Sequence, residues 1–265
     1  MRLQVCVVGL LCSMMLTSPG SAATRFFNGG GTDSNWNTAD NWSGGAAPTI
    51  DDVVIAGTEN GKRALIDSSV NAATFVTMWS SPGAQALPDG FDMTGGTLNA
   101  GSKLVMGSNE NNIPIEVNVS GGILNVAGFS TLGAIPGGTA PIDSPGTLNV
   151  SGTGQVNITT SLAVGSEHPD VASGGTLNLF GGGMMSVGSL SISTLGNGLV
   201  TLADNALLKI DGDVTADIDD HIAAGRIVGV NLGFDGQQTI VGVPEPSALV
   251  LLALGMVGLL GKRRR

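Results

Sequence analysis

A short motif that recurs through the middle of the chain constrains the fold more than any other feature. Its first copy, Gly-Gly-Thr-Leu-Asn-Ala at 95–100, returns as Gly-Gly-Ile-Leu-Asn-Val at 121–126. Two further copies occupy 145–150 and 174–179, and a looser copy occupies 197–202. Successive copies lie 23 to 29 residues apart. A repeat of this length is typical of proteins that stack one small structural unit on the next.

Within each unit, apolar residues alternate with Thr, Asn and Ser, which is the period of a β-strand. A second short strand often follows and ends near a glycine, as at 103–107 and 161–165. A unit of about 24 residues cannot bury its apolar face alone, whereas stacked units share a continuous interior. We therefore predict an all-β fold, a right-handed parallel β-solenoid (β-helix).

The alternative is an antiparallel β-sandwich, but its hairpins would need regularly placed two-residue turns of the Asn-Gly type, which are scarce here. If the units stack, adjacent side chains of a strand face opposite ways. The motif leucines then form one inward row and the motif asparagines one outward row. These residues are Leu98, Leu124, Leu148 and Leu177, and Asn99, Asn125, Asn149 and Asn178.

The composition agrees with a repetitive β protein and disfavours one class of partner. Glycine numbers 42, aromatic residues make up 4% and tyrosine is absent, so small aliphatic side chains must fill the core. Residues 24–243 hold 6 basic and 20 acidic residues, which gives a net charge of 6 − 20 = −14. Because nucleic-acid binding depends on Lys and Arg neutralising phosphates, we expect no nucleic-acid partner.

The N-terminus has the pattern of a secretory signal peptide. Arg2 precedes an apolar run at 3–16, and small residues at 21 and 23 suit cleavage by signal peptidase between Ala23 and Thr24. A first transmembrane helix is the alternative, but about 14 apolar residues fall short of the roughly 20 that a bilayer requires. Both cysteines, Cys6 and Cys12, lie in this leader, so we expect no disulfide or thiolate site after cleavage.

The C-terminus combines three signals in 22 residues. Pro244, Glu245 and Pro246 precede an apolar run at 247–261, and a basic cluster ends the chain. That cluster is Lys262, Arg263, Arg264 and Arg265. The run is short for a transmembrane helix, although its basic end can snorkel and would stay cytoplasmic. A plain tail anchor without processing is the alternative to a sorting signal.

This arrangement resembles the PEP-CTERM sorting signal of Gram-negative bacteria, over residues 244–265. The resemblance implies that an exosortase recognises the tail and cleaves near Pro244–Pro246. It also implies transient contact with the membrane through the apolar run. The protein would then reach the cell envelope, the cell surface or the extracellular matrix.

Between the two signals we distinguish an N-terminal cap with the first rungs (24–90), the solenoid repeats (91–206) and a C-terminal cap (207–243). The cap segment, with Trp36 and Trp42, resembles the entry segment of autotransporter-adhesin β-helices. Large rings there either close the open end of the solenoid or form a platform that stacks on sugars. In the C-terminal cap we predict a short helix near residues 216–224.

Signatures of catalysis and of metal binding are weak. The segment 57–62 is one residue too short for a phosphate-binding loop, and His168 and His221 lie far apart. The acidic run at 211–220 lacks the spacing of a calcium loop. A hydrolase would need two carboxylates on one face, for which the sequence singles out no pair. The residues that remain open for that role are Asp89, Asp92, Glu110 and Glu116.

These observations favour an exported structural or adhesive protein with no catalytic activity, no cofactor and no metal site. The alternative is a β-helix that binds or degrades polysaccharide, because many polysaccharide lyases and hydrolases have this fold. A fold alone implies no activity, so the choice between the two depends on the side chains.

Overall fold

A computed structural model describes residues 22–56, 61–71, 75–78, 88–107, 114–133, 145–166, 174–195, 197–228 and 231–242. The apolar run of the leader, the Pro-Glu-Pro tail with its basic end, Glu110, His168 and most of segment 57–62 lie outside these residues. Strands dominate the described part, with one 3₁₀ helix at Ala39–Asn41 and one α-helix, α1, at Thr215–Ala223.

The strands are short and follow one another closely along the chain. They are β1 Thr24–Phe26, β2 Val53–Ile55, β3 Ala64–Ile66, β4 Val70–Asn71, β5 Phe75–Met78, β6 Asp89–Met93, β7 Thr97–Ala100, β8 Lys103–Met106, β9 Ile115–Val119, β10 Ile123–Val126, β11 Phe129–Leu132, β12 Gly146–Val150, β13 Gln155–Ile158, β14 Leu162–Val164, β15 Gly175–Leu179, β16 Met184–Val187, β17 Leu190–Ile192, β18 Gly198–Leu202, β19 Leu207–Asp211, β20 Ile227–Val228, β21 Asn231–Phe234 and β22 Gln238–Gly242.

The strands assemble into three sheets that run the length of the molecule. The first sheet has the order β1-β2-β5-β8-β11-β14-β17, and the second has the order β3-β6-β9-β12-β15-β18-β20. The third has the order β4-β7-β10-β13-β16-β19-β22-β21. Each middle turn supplies one strand to each sheet, as β9, β10 and β11 do. The result is a parallel β-solenoid of about six turns, which confirms the predicted all-β solenoid fold.

Alternation along each strand separates the core from the surface. In β12, Gly146, Leu148 and Val150 are buried, while Thr147 and Asn149 are partly exposed, and β15 repeats this pattern. Stacked turns bring such inward positions into columns, so the interior is a continuous aliphatic core. Among the described residues, the buried aromatic side chains all lie toward the N-terminal end, and they are Phe27, Trp36, Trp42 and Phe91.

The motif leucines do not form the single row that the repeat predicts. Leu98 pairs with Leu124 in the third sheet, whereas Leu148 pairs with Leu177 in the second sheet. The register partner that follows Leu124 in the third sheet is Val156, 32 residues later, whereas the next motif leucine, Leu148, follows Leu124 after only 24 residues. The prediction of inward leucines is correct, but the prediction of one shared row is wrong.

The motif glycines lie where one turn touches the next. Gly96 has a φ of 69°, and a Cβ placed on it would lie 2.1 Å from the carbonyl carbon of Ser68 in the preceding turn. Gly122 has a φ of 79°, and its Cβ would lie 2.5 Å from the carbonyl oxygen of Gly96. Only glycine fits such a contact in this conformation.

Both ends of the described body are covered. At the N-terminal end, Ser43 bonds the outer edge of β1, since its N–H donates to the Phe26 carbonyl and its hydroxyl accepts from the Phe26 N–H. At the C-terminal end, β22 pairs antiparallel with β19 and forms a hairpin with β21. Helix α1 buries Ile218 against the core, which confirms the predicted short helix. Such covers keep sheet ends from pairing with other chains.

We expect Leu148→Ala to lower the free energy of unfolding by roughly 2–5 kcal/mol, because it removes buried surface and leaves a cavity between two turns. Leu148→Asp should cost more, since it buries an unpaired charge. Leu199, on β18 of the same sheet, is 39% exposed, and Leu199→Ala should cost less than about 1 kcal/mol. Denaturant melts measure the free energy of unfolding of all three variants. Equal losses of stability in the two alanine variants would contradict the assignment of Leu148 to the core and Leu199 to the surface.

Candidate functional site

A row of linked side-chain amides runs along the outer face of the second sheet. The Nδ2 group of Asn178 donates to Oδ1 of Asn149, and that of Asn149 donates to Oδ1 of Asn118, both at 2.8 Å. The row ends at Asp92, which accepts from Asn118 at 2.8 Å. These residues are register partners in neighbouring strands, so the parallel pairing places their amides within hydrogen-bond reach.

A second amide row lies on the third sheet. Asn157 donates to Asn125 at 2.9 Å, and Asn125 donates to Asn99 at 2.9 Å. The motif asparagines are therefore outward, as the sequence predicts, but they divide between two rows in the same way as the leucines. In these contacts Asn125 uses one N–H donor and one oxygen lone pair of its side-chain amide, which can form further hydrogen bonds.

Arg63 binds Asp92, the residue at which the amide row of the second sheet ends. Its side chain is 8% exposed, and its guanidinium donates to the carbonyl oxygens of Pro88, Phe91 and Glu116. It also forms ion pairs with Asp92 at 3.1 Å and with the Glu116 carboxylate at 3.7 Å. A single guanidinium thus links the turns that contain β3, β6 and β9, a role for which its fixed set of donors is suited.

The structure brings together two of the four carboxylates that the sequence leaves open for hydrolysis. Asn118 Nδ2 donates to both Asp92 Oδ1 and Glu116 Oε1 at 2.8 Å. Asp89 is instead completely buried, and Glu110 lies outside the described residues. The Asp92–Glu116 pair is shared between Arg63 and Asn118, which is the arrangement of a charge-compensated structural network.

The two tryptophans of the N-terminal cap are core residues. Trp36 is 0% and Trp42 is 1% exposed, and their ring centroids lie 4.7 Å apart in an edge-to-face contact. Phe27 packs on Trp42 and Phe91 packs on Trp36. Neither ring presents a face to solvent, so the interpretation of Trp36 and Trp42 as a sugar platform is wrong. Their burial favours the capping alternative, because the rings fill the end of the aliphatic core.

Asp33 organises the polar loop outside these rings. It accepts hydrogen bonds from the Thr38 hydroxyl and the Asn35 N–H, both at 3.0 Å, and from the Asn41 amide at 3.1 Å. The hydroxyl of Thr38, followed by the Asn35 N–H, lowers the pKa of Asp33. The motifs considered above do not include Asp33, although the Asp33-Ser34-Asn35 spacing is a signal for an Asx turn.

Asp52 is a buried carboxylate for which no local sequence pattern indicates a role. Its side chain is 4% exposed and accepts from the N–H and hydroxyl of Thr49 and from the N–H of Ala23, with Arg25 Nε at 3.5 Å. Burial alone would raise the pKa of Asp52. The hydrogen bonds from Thr49 and Ala23, with the Arg25 charge, outweigh burial and lower this pKa below 3.8.

Two carboxylates of the acidic run at 211–220 accept hydrogen bonds from neighbouring segments. Asp211 accepts from Gln238 Nε2 at 2.7 Å, and Asp213 accepts from the Thr215 hydroxyl at 2.8 Å at the start of α1. Across the part of the chain that the structure describes, no group of three or more His, Cys, Asp or Glu side chains is placed to hold a metal ion. His221 accepts a hydrogen bond from Arg226 Nε at 2.9 Å.

Comparison with known proteins identifies the tail. Residues 242–265 match the PEP-CTERM protein-sorting motif. The motif implies export to the cell envelope or surface, with an exosortase as the partner that recognises the tail. Searches of curated proteins and of solved structures found no match to the chain. Within residues 22–242, as far as they are described, no helix is long and apolar enough to cross a membrane.

We expect Arg63→Ala to lower the free energy of unfolding by about 2–4 kcal/mol, because it leaves three carbonyl oxygens and two carboxylates without their common donor. Lys209→Ala, on the outer face of β19, should change it by less than about 0.5 kcal/mol. Urea melts compare the two variants. Similar losses for both would show that Arg63 does not link the turns.

Asp52 should make stability depend on pH. Its folded-state pKa is lower than its usual value, so the carboxylate stabilises the fold above about pH 4, and this contribution is lost as the pH falls through the lowered pKa. At pH 7, Asp52→Asn should cost about 1–3 kcal/mol. The difference in the free energy of unfolding between wild type and Asp52→Asn should disappear on acidification. Denaturant melts at pH 7, 4 and 3, with the exposed Asp51→Asn as control, test this. A difference that stays constant with pH would contradict it.

Proposed function

We propose that this protein is a non-catalytic structural or adhesive component of the bacterial cell surface or extracellular matrix. Signal peptidase removes the leader during export, and the Pro-Glu-Pro tail places the chain in the membrane transiently. An exosortase then cleaves near Pro244–Pro246 and releases the solenoid outward. The observation that carries this proposal is the sorting motif at residues 242–265, joined to a body that is a continuous solenoid.

The shape of the body supports a structural role. Six turns at about 4.8 Å each give a rod roughly 30 Å long, and every turn is bonded to the next through backbone groups. Side-chain rows reinforce the same contacts, as the amides of Asn118, Asn149 and Asn178 do. A body of this kind resists local unfolding, which suits a protein exposed to the medium outside the cell.

The partners of the carboxylates support the absence of catalysis. Asp92 and Glu116 share Arg63 and Asn118, and both lie on a sheet face. A pair that acts on a glycosidic bond needs one carboxyl group to donate a proton to the leaving oxygen. The adjoining Arg63 cation instead favours a fixed ionic network, which is a structural function.

The amide rows favour one second candidate, binding of an extended polysaccharide. Asn99, Asn125 and Asn157 repeat at the spacing of the strands, so they present outward N–H and C=O groups at regular intervals. A polymer rich in hydroxyl groups could bond to such a row. The buried Trp36 and Trp42 take no part in this candidate, because they present no ring face.

The sorting proposal is tested by intact-mass measurement of the surface form in a host that has an exosortase. We expect a product that lacks the basic end, Lys262 to Arg265. Glu245→Gln should block release and leave the full tail attached, because the motif loses its only charge. Glu59→Gln makes the same chemical change in the body and should be processed normally. If the wild-type surface form retains Arg265, the exosortase does not cleave the tail, and the tail is only a membrane anchor.

The absence of catalysis and the polysaccharide candidate are tested on one panel of neutral and acidic polysaccharides. We expect no turnover by the exported protein. Turnover that disappears in Asp92→Asn or Glu116→Gln would overturn the structural proposal. Binding that weakens at least about tenfold in the double variant Asn125→Ala and Asn157→Ala, but not in the exposed Asn231→Ala, would support the second candidate.

A further inference from the structure

Two cleavage positions fit the end of the leader equally well by sequence. Ser21-Ala22-Ala23 has small residues at both required positions for cleavage after Ala23, and Gly20-Ser21-Ala22 has them for cleavage after Ala22. The rule concerns only residue size, so it does not separate these positions. The contacts of the folded body distinguish the two products, because only one of them keeps Ala23.

The backbone of Ala23 belongs to the folded body. Its N–H donates to Oδ1 of Asp52 at 3.1 Å, and its carbonyl oxygen accepts from the Val53 N–H at 2.8 Å. The second of these bonds extends the parallel pairing of β1 with β2, in which Thr24 is the partner of Val53. Ala22, one residue earlier, is exposed. Within the described residues, these backbone contacts thus place Ala23 in the first rung of the body.

We propose that signal peptidase cleaves the Ala22–Ala23 bond, in place of the Ala23–Thr24 bond predicted from the sequence, and that the new α-ammonium group of Ala23 docks on Asp52. In this hydrolysis, water supplies a hydroxyl to the Ala22 carbonyl carbon and a proton to the Ala23 nitrogen. The Ala23 amine then takes a second proton from solvent at neutral pH. The proposal depends on the export described under the proposed function, and it names the processing site of that export.

The surroundings of Asp52 suit a positive charge at this place. Oδ1 faces Ala23, while Oδ2 accepts from the N–H and hydroxyl of Thr49 and lies 3.5 Å from Arg25 Nε. Asp52 is 3% exposed, so its charge is poorly solvated. Converting the neutral N–H of Ala23 into an ammonium group turns its hydrogen bond into a charge-assisted one, which is shorter and stronger.

Cleavage after Ala23 would have the opposite result. It would remove the Ala23 N–H from Asp52 and the Ala23 carbonyl from the Val53 N–H, so a buried carboxylate and a backbone donor would both lose a partner. Partner loss at buried polar groups is destabilising. The two cleavage positions thus differ in the stability of the mature protein, although they are equivalent to the size rule.

The first experiment is N-terminal sequencing of the full chain after export from a bacterial host. We expect the mature product to begin at Ala23. A product that begins at Thr24 would overturn this inference and leave the export proposal intact. A product that keeps Met1 and the leader would overturn both.

The second experiment tests the docking on the exported protein itself. Transamination with pyridoxal phosphate converts the α-amine to a ketone without changing the lysines. We expect the equilibrium constant for unfolding to rise about five- to tenfold on this conversion. In Asp52→Asn the conversion should have no effect, whereas the matched control Asp51→Asn should behave like wild type. An equal effect in wild type and Asp52→Asn would overturn the docking.

Discussion

Parallel hydrogen bonding between equivalent strands of successive turns is the interaction on which the rest of the molecule depends. It holds each inward residue above its register partner, as Leu148 lies between Val117 and Leu177. The same register brings outward amides within 2.8 to 2.9 Å of each other. Because turns are in close contact, the positions at their corners exclude a Cβ, which explains the glycine of the repeated motif at Gly96 and Gly122.

A stack of this kind has two open ends, and the chain covers them differently. The N-terminal end is closed by Trp36 and Trp42, which supply the volume that small aliphatic residues cannot. Two elements close the C-terminal end. Strand β22 pairs antiparallel with β19, and helix α1 packs Ile218 against the core. Both covers protect strand edges from pairing with other chains.

Two buried charged side chains, Arg63 and Asp52, link segments of the chain that are distant in sequence. Arg63 contacts backbone and carboxylate groups of two later turns, and Asp52 gathers Thr49, Arg25 and Ala23 at the point where the chain enters the first sheet. In both places a buried charge has several partners, which offsets the cost of removing it from water. The structural or adhesive role proposed above draws on these networks, on the amide rows and on the sorting motif.

The sequence by itself determined the all-β stacked fold, the inward leucines, the outward asparagines, the short helix and the sorting signal, because each depends on a local pattern. Only the tertiary structure decided that Leu98 and Leu148 lie on different sheets, that Trp36 and Trp42 are buried, and that Arg63 joins Asp92 to Glu116. A period of two fixes which way a side chain faces. The sheet on which it lies depends on the length of each intervening turn, and its partner comes from a turn that the local pattern does not specify.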